Sequence, residues 1–487
     1  MAKKSLKIHS EEITKVVSEL CIEANYYIEE EIFKAWQKAI KKEKSPLAKE
    51  FFRIMIKNAS IAWEEKIPIC QDTGQMVFFV EIGKNVEIIG DTIKNAINRG
   101  VEIGCKKGYL RKSVVLDPLK RNNCGSYGPA IIHYEIVPGS KLKISLIPVG
   151  CGVDQCSCVD MLYPCNIEKS IKNFVVSKVK EAGSKNCPPT TVGVGLGGDL
   201  EEAAYLARKA LYRSMNQHSK KFGRLEEEIT EEVNKLNLGP MGFGGKTTVF
   251  GVNIEASSCH RANLPIAIAF NCHIGRHKEF TFGQNNGQLL QKQEKLRQQL
   301  KKVAEKIKIL KDFKRITVPM TKEVIDKLKA GDKVLISGIV YTARDAAHKN
   351  LVDLIKRNRS LPFDFKNQVI YYTGPTPAKP GQIIGSAGPT TSARMDIYTP
   401  FLLAKGLKGM IGKGCRNKEA SEAIRKYGAI YFSTFGGTGA FLSKFIIKSE
   451  IIAFKELGTE AIRRLELKDF PAIVMCDSQG KALYHPF

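Results

Sequence analysis

The sequence predicts an α/β (α+β) protein, and three observations indicate this fold class. Short apolar runs that suit buried strands alternate with longer stretches of helical periodicity. Glycine and proline recur where these runs end, as turns between strands and helices require. The chain has 487 residues, which is enough for two or three domains, and its hydrophobic content of 43% is ordinary for a globular enzyme.

Helical periodicity comes first along the chain. Apolar residues at helical spacing predict a helix over residues 10–44, with Ser10 as its N-cap. A second helix is predicted from Ser45 to about Trp63. Pro46 stands at its first position, where the fixed φ of proline suits a helix.

Apolar strands follow these helices. The run MVFFVEIG, which ends at Gly83, predicts a buried strand, and residues 89–105 predict another helix. Two β-rich runs, AIIHYEIVPG and KLKISLIPVG, are separated only by a turn at residues 138–140. Their spacing predicts a β-hairpin.

A highly charged, glutamine-rich stretch at residues 285–313 marks the predicted domain boundary. We therefore expect an N-terminal domain over residues 1–288, a charged helical linker over 289–314 and a smaller C-terminal domain over 315–487. Short strands such as KVLISGIVYTA, VIYYTG, KGMIGKG, AIYFST and AIVMCD alternate with helices in the last of these.

The charge balance is strongly basic, with 76 Lys and Arg against 50 Asp and Glu, a net charge of +26. A positive field attracts phosphates or small carboxylates. The lysines are spread along helical patterns at 40–49 and 292–314 and are not interleaved with aromatic residues. We interpret them as solvated helix faces and expect no nucleic-acid partner.

Composition also bears on the compartment. No window approaches 18 consecutive apolar residues, so no membrane span is expected, and the N-terminus lacks the apolar segment of a secretory signal. Thirteen cysteines in such a chain predict reduced thiols, some of them metal ligands, and no disulfide framework. The protein is expected in the cytoplasm, with an organelle matrix as the alternative.

Two glycine-rich motifs resemble nucleotide-binding loops but fail on inspection. Gly193, Gly195 and Gly198 have the GxGxxG spacing, yet no acidic residue follows at a strand end about 20 residues later. A tight strand-to-helix turn before Asp199 is predicted instead. The run GPMGFGGKTT has Pro240 where a P-loop needs its first glycine.

A thiol and a carboxylate lie two positions apart in the run Pro-Ile-Cys-Gln-Asp-Thr-Gly at 68–74. In a strand-to-loop turn, the thiolate of Cys70 could hold a metal while Asp72 faces a substrate. The alternative is a surface turn with a buried free cysteine, because free cysteine packs like a small apolar residue.

The stretch CGVDQCSCVDMLYPC has the highest density of cysteines. Its spacing fits no standard zinc finger, and its flanks lack paired histidines. We therefore predict local packing rather than a dedicated metal site for Cys151, Cys156, Cys158 and Cys165.

Two stretches of the C-terminal part suit an anion. TARDAAH carries Arg344, Asp345 and His348, and IGSAGPTTSARMD combines small residues with two hydroxyls and an arginine. Arginine binds carboxylates in a bidentate way, and small residues let backbone N–H groups approach a ligand. The alternative is a glycine turn with a surface arginine. The second stretch contains Gly385, Gly388, Thr390, Thr391 and Arg394.

Taken together, the motifs resemble those of the class I, oxygen-sensitive iron–sulfur fumarase and L-tartrate dehydratase family. The N-terminal half carries CQDTG, CPP at 187–189 and LPIAIAFNCHIGRHKE. The C-terminal half carries RDAAH, YYTGPTPAKPGQIIGSAGPTTSARMD and ELGTEAIRRLELKDFPAIVMCDSQG. The resemblance covers nearly the whole chain, with parts like the family's α and β regions fused. It implies a larger N-terminal α/β domain, a smaller swivel-like C-terminal α/β domain and an active site in the cleft between them.

The resemblance further implies a [4Fe–4S] cluster held by Cys70, Cys187 and Cys272, with one iron left open. Cys259 is a nearby competitor for the third ligand position. Thr390 matches the position of the catalytic base and Asp72 that of the group that polarises it. The implied substrate contacts are Gln71, Arg111, Gly152, His260, Arg344, Thr391, Arg394 and Lys413.

The implied activity is a hydro-lyase that reversibly hydrates fumarate to L-malate, with the open iron as Lewis acid. L-tartrate dehydratase and mesaconate hydratase of the same family are the alternatives. A small dicarboxylate is the expected substrate, and a homodimer is the expected assembly. Two segments depart from the family pattern and leave the choice of substrate open. They are Gly150–Gln155, where the family has GGGSEN, and RNNCGSYG at 121–128.

Overall fold

The computed structural model describes residues 5–119, 125–215, 217–284 and 287–483. Part of the departing segment at 121–128 therefore lies outside the described residues. The α-helices, α1 to α14 in chain order, are Ser10–Tyr26, Glu30–Lys42, Pro46–Glu65, Ile93–Lys107, Cys151–Asp154, Ile167–Ala182, Leu200–Ala210, Gly223–Asn234, Gly287–Lys306, Lys322–Ile325, Asp345–Lys356, Thr399–Ala404, Lys418–Lys426 and Gly439–Leu442.

The strands alternate with these helices along most of the chain, as the fold class predicts. In chain order, β1 to β17 are Leu6–His9, Gln75–Gly83, Val86–Ile89, Ile131–Val137, Leu142–Val149, Cys158–Leu162, Thr190–Gly198, Val249–Cys259, Leu264–Asn271, Lys278–Phe282, Lys314–Thr317, Lys333–Thr342, Val369–Tyr371, Gly409–Gly412, Ile430–Ser433, Ile446–Ala453 and Ile462–Cys476.

The prediction of one helix over residues 10–44 is wrong, because the chain breaks between α1 and α2. Tyr27 is extended there, with φ −120° and ψ 135°. Its ring packs 4.6 Å from the ring of Trp63, and Ile28 is buried beside it. These tertiary contacts override the continuous helical pattern. The start of α3 is confirmed, since the Ser45 side chain accepts a hydrogen bond from the backbone N–H of Ala48.

The predicted hairpin of β4 and β5 is also wrong. The sheet has the order β10-β5-β2-β4, so β2 lies between the two strands. It runs parallel to β4 and antiparallel to β5. The consecutive buried residues 76–80 explain this choice, because a strand that is apolar on both faces belongs in the centre of a sheet.

The sheet β6-β9-β7-β8 contains the predicted strand-to-helix turn. The side chain of Asp199 caps α7 by accepting hydrogen bonds from two backbone N–H groups. A Cβ at Gly193 or Gly195 would lie within about 2 Å of a carbonyl oxygen of α7. These glycines therefore serve close helix–strand packing, as the turn interpretation expected.

The C-terminal sheet has the order β11-β12-β13-β14-β15-β17-β16, with a further pairing between β12 and β17. Strands β12 to β15 are mutually parallel, and β17 is antiparallel to both β12 and β15. These pairings close β12, β13, β14, β15 and β17 into a barrel, which leaves those strands without free edges.

Helix α9 occupies most of the charged stretch that was predicted as a linker. It packs against α3 and buries Leu296, Leu300 and Ala304. The apolar stripe is narrow, which is why composition alone suggested a solvated segment. Across the described residues, no helix has the length and apolar character needed to cross a membrane.

Candidate active site

A cavity with about 560 Å³ of empty space, part of it open to solvent, collects most of the residues that the resemblance singled out. Its walls come from the turn after α3, the start of α5, the segment before β7, the end of β9 and three loops of the C-terminal part. The predicted site residues that line it are Cys70, Gln71, Asp72, Gly152, Cys187, Cys272, Thr390, Thr391, Arg394 and Lys413.

The turn that carries Cys70 is held by the helices before it. The backbone N–H of Ile69 donates to the carbonyl of Asn25 at 2.8 Å, and Asn58 donates to the carbonyl of Ile69 at 3.0 Å. The backbone N–H of Asp72 donates to the Cys70 sulfur at 3.4 Å. Burial raises the pKa of Cys70 to about 12, while the positive charge of Arg276 opposes this shift.

Cys187 has a left-handed backbone, with φ 58°, which is uncommon for a residue other than glycine. Such strain is concentrated at functional sites. The ammonium of Lys413 donates to the Cys187 sulfur. Burial raises the pKa of Cys187, and the charge of Lys413 opposes that rise.

Cys272 follows the last residue of β9 and lines the same cavity as Cys70 and Cys187. A negative charge on Cys272 raises the pKa of both Cys70 and Cys187. Its competitor Cys259 ends β8 on the exposed surface, beside a different cavity. The arrangement of the thiols therefore favours Cys272 over Cys259.

The donor set of this cavity fits an iron–sulfur cluster. Three thiols converge, and N–H donors already reach two of the sulfurs. Among the described residues, no three His, Cys, Asp or Glu side chains are close enough to hold a single metal ion. A cluster spreads its thiolates over several irons, so it suits a wider set of thiols than a single ion does.

The carboxylate of Asp72 is fixed on both oxygens. Arg111 donates to Oδ1 at 3.0 Å, and the backbone N–H of Cys151 donates to Oδ2 at 3.1 Å. Burial alone would raise the pKa of Asp72, but the charges of Arg111, Arg276 and other cations lower it to about 2. Asp72 is therefore ionised at neutral pH.

Thr390 contacts Arg394, not Asp72. The guanidinium of Arg394 donates to Thr390 Oγ1, and its other terminal nitrogen lies 3.0 Å from the Cys151 sulfur. Its Nε lies 3.0 Å from the carboxylate of Asp345. Any effect of Asp72 on Thr390 must act through space, because their side chains form no direct hydrogen bond in the described structure.

Arg111 and Arg344 lie behind the lining of the cavity. Arg111 donates to Asp72 and to the carbonyl of Gly374 at 3.0 Å. Arg344 pairs with Asp345 at 3.0 Å and Glu460 at 3.4 Å. Burial would lower the pKa of Arg344, but these acidic neighbours raise it. Both cations contribute positive potential at Asp72.

The structure gives a physical reason for the residue types of Gly152 and Gln71. A Cβ on Gly152 would lie 2.9 Å from the carbonyl oxygen of Lys185, so the backbone approaches too closely for a side chain. Gln71 donates to the carbonyl of Pro389 at 3.0 Å and accepts from Cys70. Gln71 thereby joins the two parts of the chain at the cavity.

His260 does not reach this cavity. It is exposed in the turn between β8 and β9, at the opposite end of β9 from Cys272. A strand of eight residues is about 26 Å long. The structure therefore separates His260 from the other predicted site residues.

The cysteines of residues 151–165 form no comparable centre. Cys151 and Cys165 are exposed, whereas Cys156 and Cys158 are half-buried and pack against the N-terminal core. Burial raises the pKa of both half-buried thiols. This arrangement agrees with the prediction of local packing.

Sequence reasoning missed two buried residues at the cavity, His273 and Arg276. Burial lowers the pKa of His273 to about 3, so its imidazole is neutral. Arg276 contributes to the positive field around Asp72 and Cys70. Both lie in the run LPIAIAFNCHIGRHKE. A histidine and an arginine directly after an apolar strand were the available signal.

Comparison with known proteins identifies the family of this chain. The family model described as fumarate hydratase (Fumerase) matches residues 14–281, and the model described as fumarase C-terminus matches residues 283–487. "Fumarate hydratase class I, anaerobic" of Escherichia coli is 30% identical over 88% of this chain and 81% of its own length.

Two other relatives differ in how much of this chain they match. "Fumarate hydratase 2" of Leishmania major is 28% identical over 99% of this chain and 88% of its own length. A Methanocaldococcus jannaschii protein with the provisional name L(+)-tartrate dehydratase subunit alpha is 38% identical over 54% of this chain and 95% of its own length. The chain thus belongs to the class I fumarate hydratase family, with both family regions in one polypeptide, and is a hydro-lyase.

Proposed function

We propose that this hydro-lyase reversibly hydrates fumarate to L-malate with the help of a [4Fe–4S] cluster. The observation that carries the proposal is the convergence of three thiols, an ionised aspartate, two threonines and three cations on one cavity. The names of the full-length relatives support fumarate as the substrate. The relative named for tartrate matches only about half of the chain, which supports L-tartrate less.

We propose Cys70, Cys187 and Cys272 as the thiolates that hold the cluster. When bound, such a cluster supplies one iron without a fourth protein ligand, a Lewis acid suited to the substrate hydroxyl. The ammonium of Lys413 and the backbone N–H of Asp72 stabilise negative charge on two of the sulfurs. These contacts favour the thiolate form that cluster binding needs.

A four-carbon dicarboxylate brings two negative charges that the protein must offset. Lys413 and Arg394 line the cavity, and we propose that they bind the carboxylates directly. Gln71 and Thr391 add neutral polar contacts, and the backbone at Gly152 approaches the ligand closely. Positive potential stabilises the extra charge that develops next to a carboxylate when the adjacent C–H proton leaves.

Thr390 is the proposed base. Its free hydroxyl is only weakly acidic, so it needs a neighbour that stabilises an alkoxide. Arg394 donates a hydrogen bond to Thr390 Oγ1 and provides that neighbour. In the direction from malate, Oγ1 accepts the proton from carbon. In the direction from fumarate, it returns that proton.

Asp72 takes an electrostatic part in this scheme. Its carboxylate is held by Arg111 and by the backbone of Cys151, so it remains ionised and fixed. We propose that it orients the cationic groups around the substrate and tunes Thr390 through space. His260 has no part in this proposal within a single chain.

The arrangement of the whole chain is part of the proposal. We infer that a larger N-terminal domain and a smaller C-terminal domain meet at the cavity, as its lining from both regions supports. The boundaries at 288 and 314 stay predictions, as does the homodimer. The free thiols of the described residues support a reducing compartment such as the cytoplasm.

Anaerobic reconstitution tests the proposed function. The protein should take up about four irons and four sulfides per chain and should hydrate fumarate in preference to mesaconate, with L-malate preferred to L-tartrate for dehydration. Preference for L-tartrate would overturn the substrate assignment. Failure to turn over any of these acids, or activity without iron, would overturn the proposed mechanism.

A further inference from the structure

The five residues from Cys272 to Arg276 contact both of the other segments that carry predicted cluster thiols. They form a tight turn after β9, in which the backbone N–H of Gly275 donates to the carbonyl of Cys272 at 2.8 Å. Gly275 has φ 59°, and a Cβ there would lie 2.2 Å from a side-chain carbon of Ile32. The conformation of this turn therefore depends on glycine.

His273 joins the turn to the segment of Cys187. Its backbone N–H donates to the carbonyl of Cys187 at 3.3 Å, and its Nδ1 lies 2.9 Å from the same oxygen. A carbonyl oxygen only accepts, so Nδ1 carries the proton in this neutral imidazole. The ring is fully buried and packs edge-on against Phe51, 5.2 Å between centroids. His273 therefore has little freedom to move.

Arg276 joins the turn to the segment of Cys70. Its NH1 nitrogen donates to the backbone carbonyl of Asp72 at 2.6 Å and to the side-chain oxygen of Asn25 at 2.9 Å. The backbone carbonyl of Asn25 in turn accepts from the N–H of Ile69, directly before Cys70. The Arg276 side chain is 5% exposed, and its Nε has no hydrogen-bond partner among the described residues.

We propose that His273 and Arg276 are positioning residues that set the spacing of the three thiols. The inference rests on the proposed cluster. One turn carries Cys272, binds the backbone carbonyl of Cys187 through His273, and binds the backbone carbonyl of Asp72, two residues after Cys70, through Arg276. A cluster requires three sulfurs at fixed separations. The two side chains tie the turn of Cys272 to the segments of Cys187 and Cys70, and so fix the distances between the thiols. Partners of this kind typically change metal affinity 10- to 100-fold when removed.

Iron release from the anaerobically loaded protein tests this proposal. Excess chelator is added, and the rate of iron loss is followed together with the visible absorbance of the cluster. Arg276→Gln and His273→Leu should each lose iron about 10-fold faster than the unmodified protein or more. His273→Asn retains a donor near the position of Nδ1, and Arg276→Lys retains a cation. Each should lose iron more slowly than the leucine or glutamine variant, yet about 3-fold faster than the unmodified protein.

A matched control separates this role from a general loss of stability. Arg297→Gln removes an arginine that pairs with Glu64 on the surface, and iron loss should match the unmodified protein. Cluster-free variants should retain a cooperative thermal transition. Unchanged iron release in Arg276→Gln and His273→Leu would overturn the proposal.

Folding failure of either variant would not end the test. The conservative variants Arg276→Lys and His273→Asn then decide, because each loses part of the native contact. We expect them to release iron at least about 3-fold faster than the unmodified protein, and an unchanged rate overturns the proposal. If the unmodified protein binds no cluster, the proposed function fails together with the inference. If it does, the variants test the inference alone.

Discussion

This protein has two groups of cysteines that could hold a metal centre, and they differ in whether their thiols converge on one cavity. Cys70, Cys187 and Cys272 come from distant parts of the chain, line one cavity and have N–H donors at two of their sulfurs. The four cysteines of residues 151–165 are close in sequence, yet two are exposed and two pack against the core. Convergence in space, and not density along the chain, distinguishes a candidate site.

Replacing one thiol in each region tests this comparison with the largest expected effect. Cys187→Ser should abolish the visible absorbance of the cluster and essentially all hydratase activity, because it removes a proposed ligand. Cys165→Ser should leave both within about 2-fold, since the thiol is exposed and does not line the cavity. Comparable loss in the two variants, measured after the same anaerobic loading, would remove the distinction between the regions.

Thr390→Ala separates proton transfer from cluster binding at the cavity that Cys70, Cys187 and Cys272 line. The variant should keep its iron and sulfide content, while kcat for fumarate falls by about 10²- to 10⁴-fold, the usual contribution of a positioned acid or base. Thr390→Ser keeps the hydroxyl and should retain most of the activity. Near-normal turnover in the alanine variant would show that another group is the base.

The charge network of the cavity predicts a pH dependence of stability in the cluster-free protein. The pKa of Asp72 is lowered from 3.8 to about 2, so its contribution is present above pH 4 and lost as the pH falls towards 2. A shift of this size corresponds to about 2 kcal/mol. Urea unfolding should show that the difference between the unmodified protein and Asp72→Asn shrinks by roughly half between pH 6 and pH 3.

A non-titrating surface change provides the control for this measurement. Ile136 is 80% exposed, so the difference between the unmodified protein and Ile136→Thr should be small and independent of pH. A difference for Asp72→Asn that stays constant over the same range would contradict the lowered pKa.

The smallest effects are expected from changes to the cysteines of residues 151–165. Cys156→Ser and Cys158→Ser place a polar hydroxyl where half-buried thiols pack against the core. Each should cost about 1 kcal/mol of unfolding free energy and leave kcat/KM for fumarate within about 2-fold. Loss of cluster absorbance in either variant would mean that this region contributes to the centre after all.

Local patterns predicted the individual elements of this fold better than their partners. The helix that begins at Ser45–Pro46, the strand that ends at Gly83 and the turn at Asp199 all follow from capping and periodicity, which are local properties. The break at Tyr27 and the insertion of β2 between β4 and β5 depend on packing against distant residues. No local pattern contains that information.

The same distinction applies to the candidate site. Resemblance of motifs identified the residues that line the cavity, but it also included His260, which lies far from it. His273 and Arg276 directly follow an apolar strand, but this position alone does not show what either side chain contacts. Their roles become visible only when the acceptors on Cys187 and Asp72 are known.

The hydrogen bond from Gln71 to the carbonyl of Pro389 spans 318 positions of sequence. Its two ends approach so closely that a Cβ on Gly388 would lie 2.2 Å from the Gln71 amide oxygen. Ordering such a distant pair requires closure of a very long loop, which slows folding. The lining of the cavity extends from Cys70 to Gly437, so the complete cavity is expected to form only after the ribosome has synthesised that last segment.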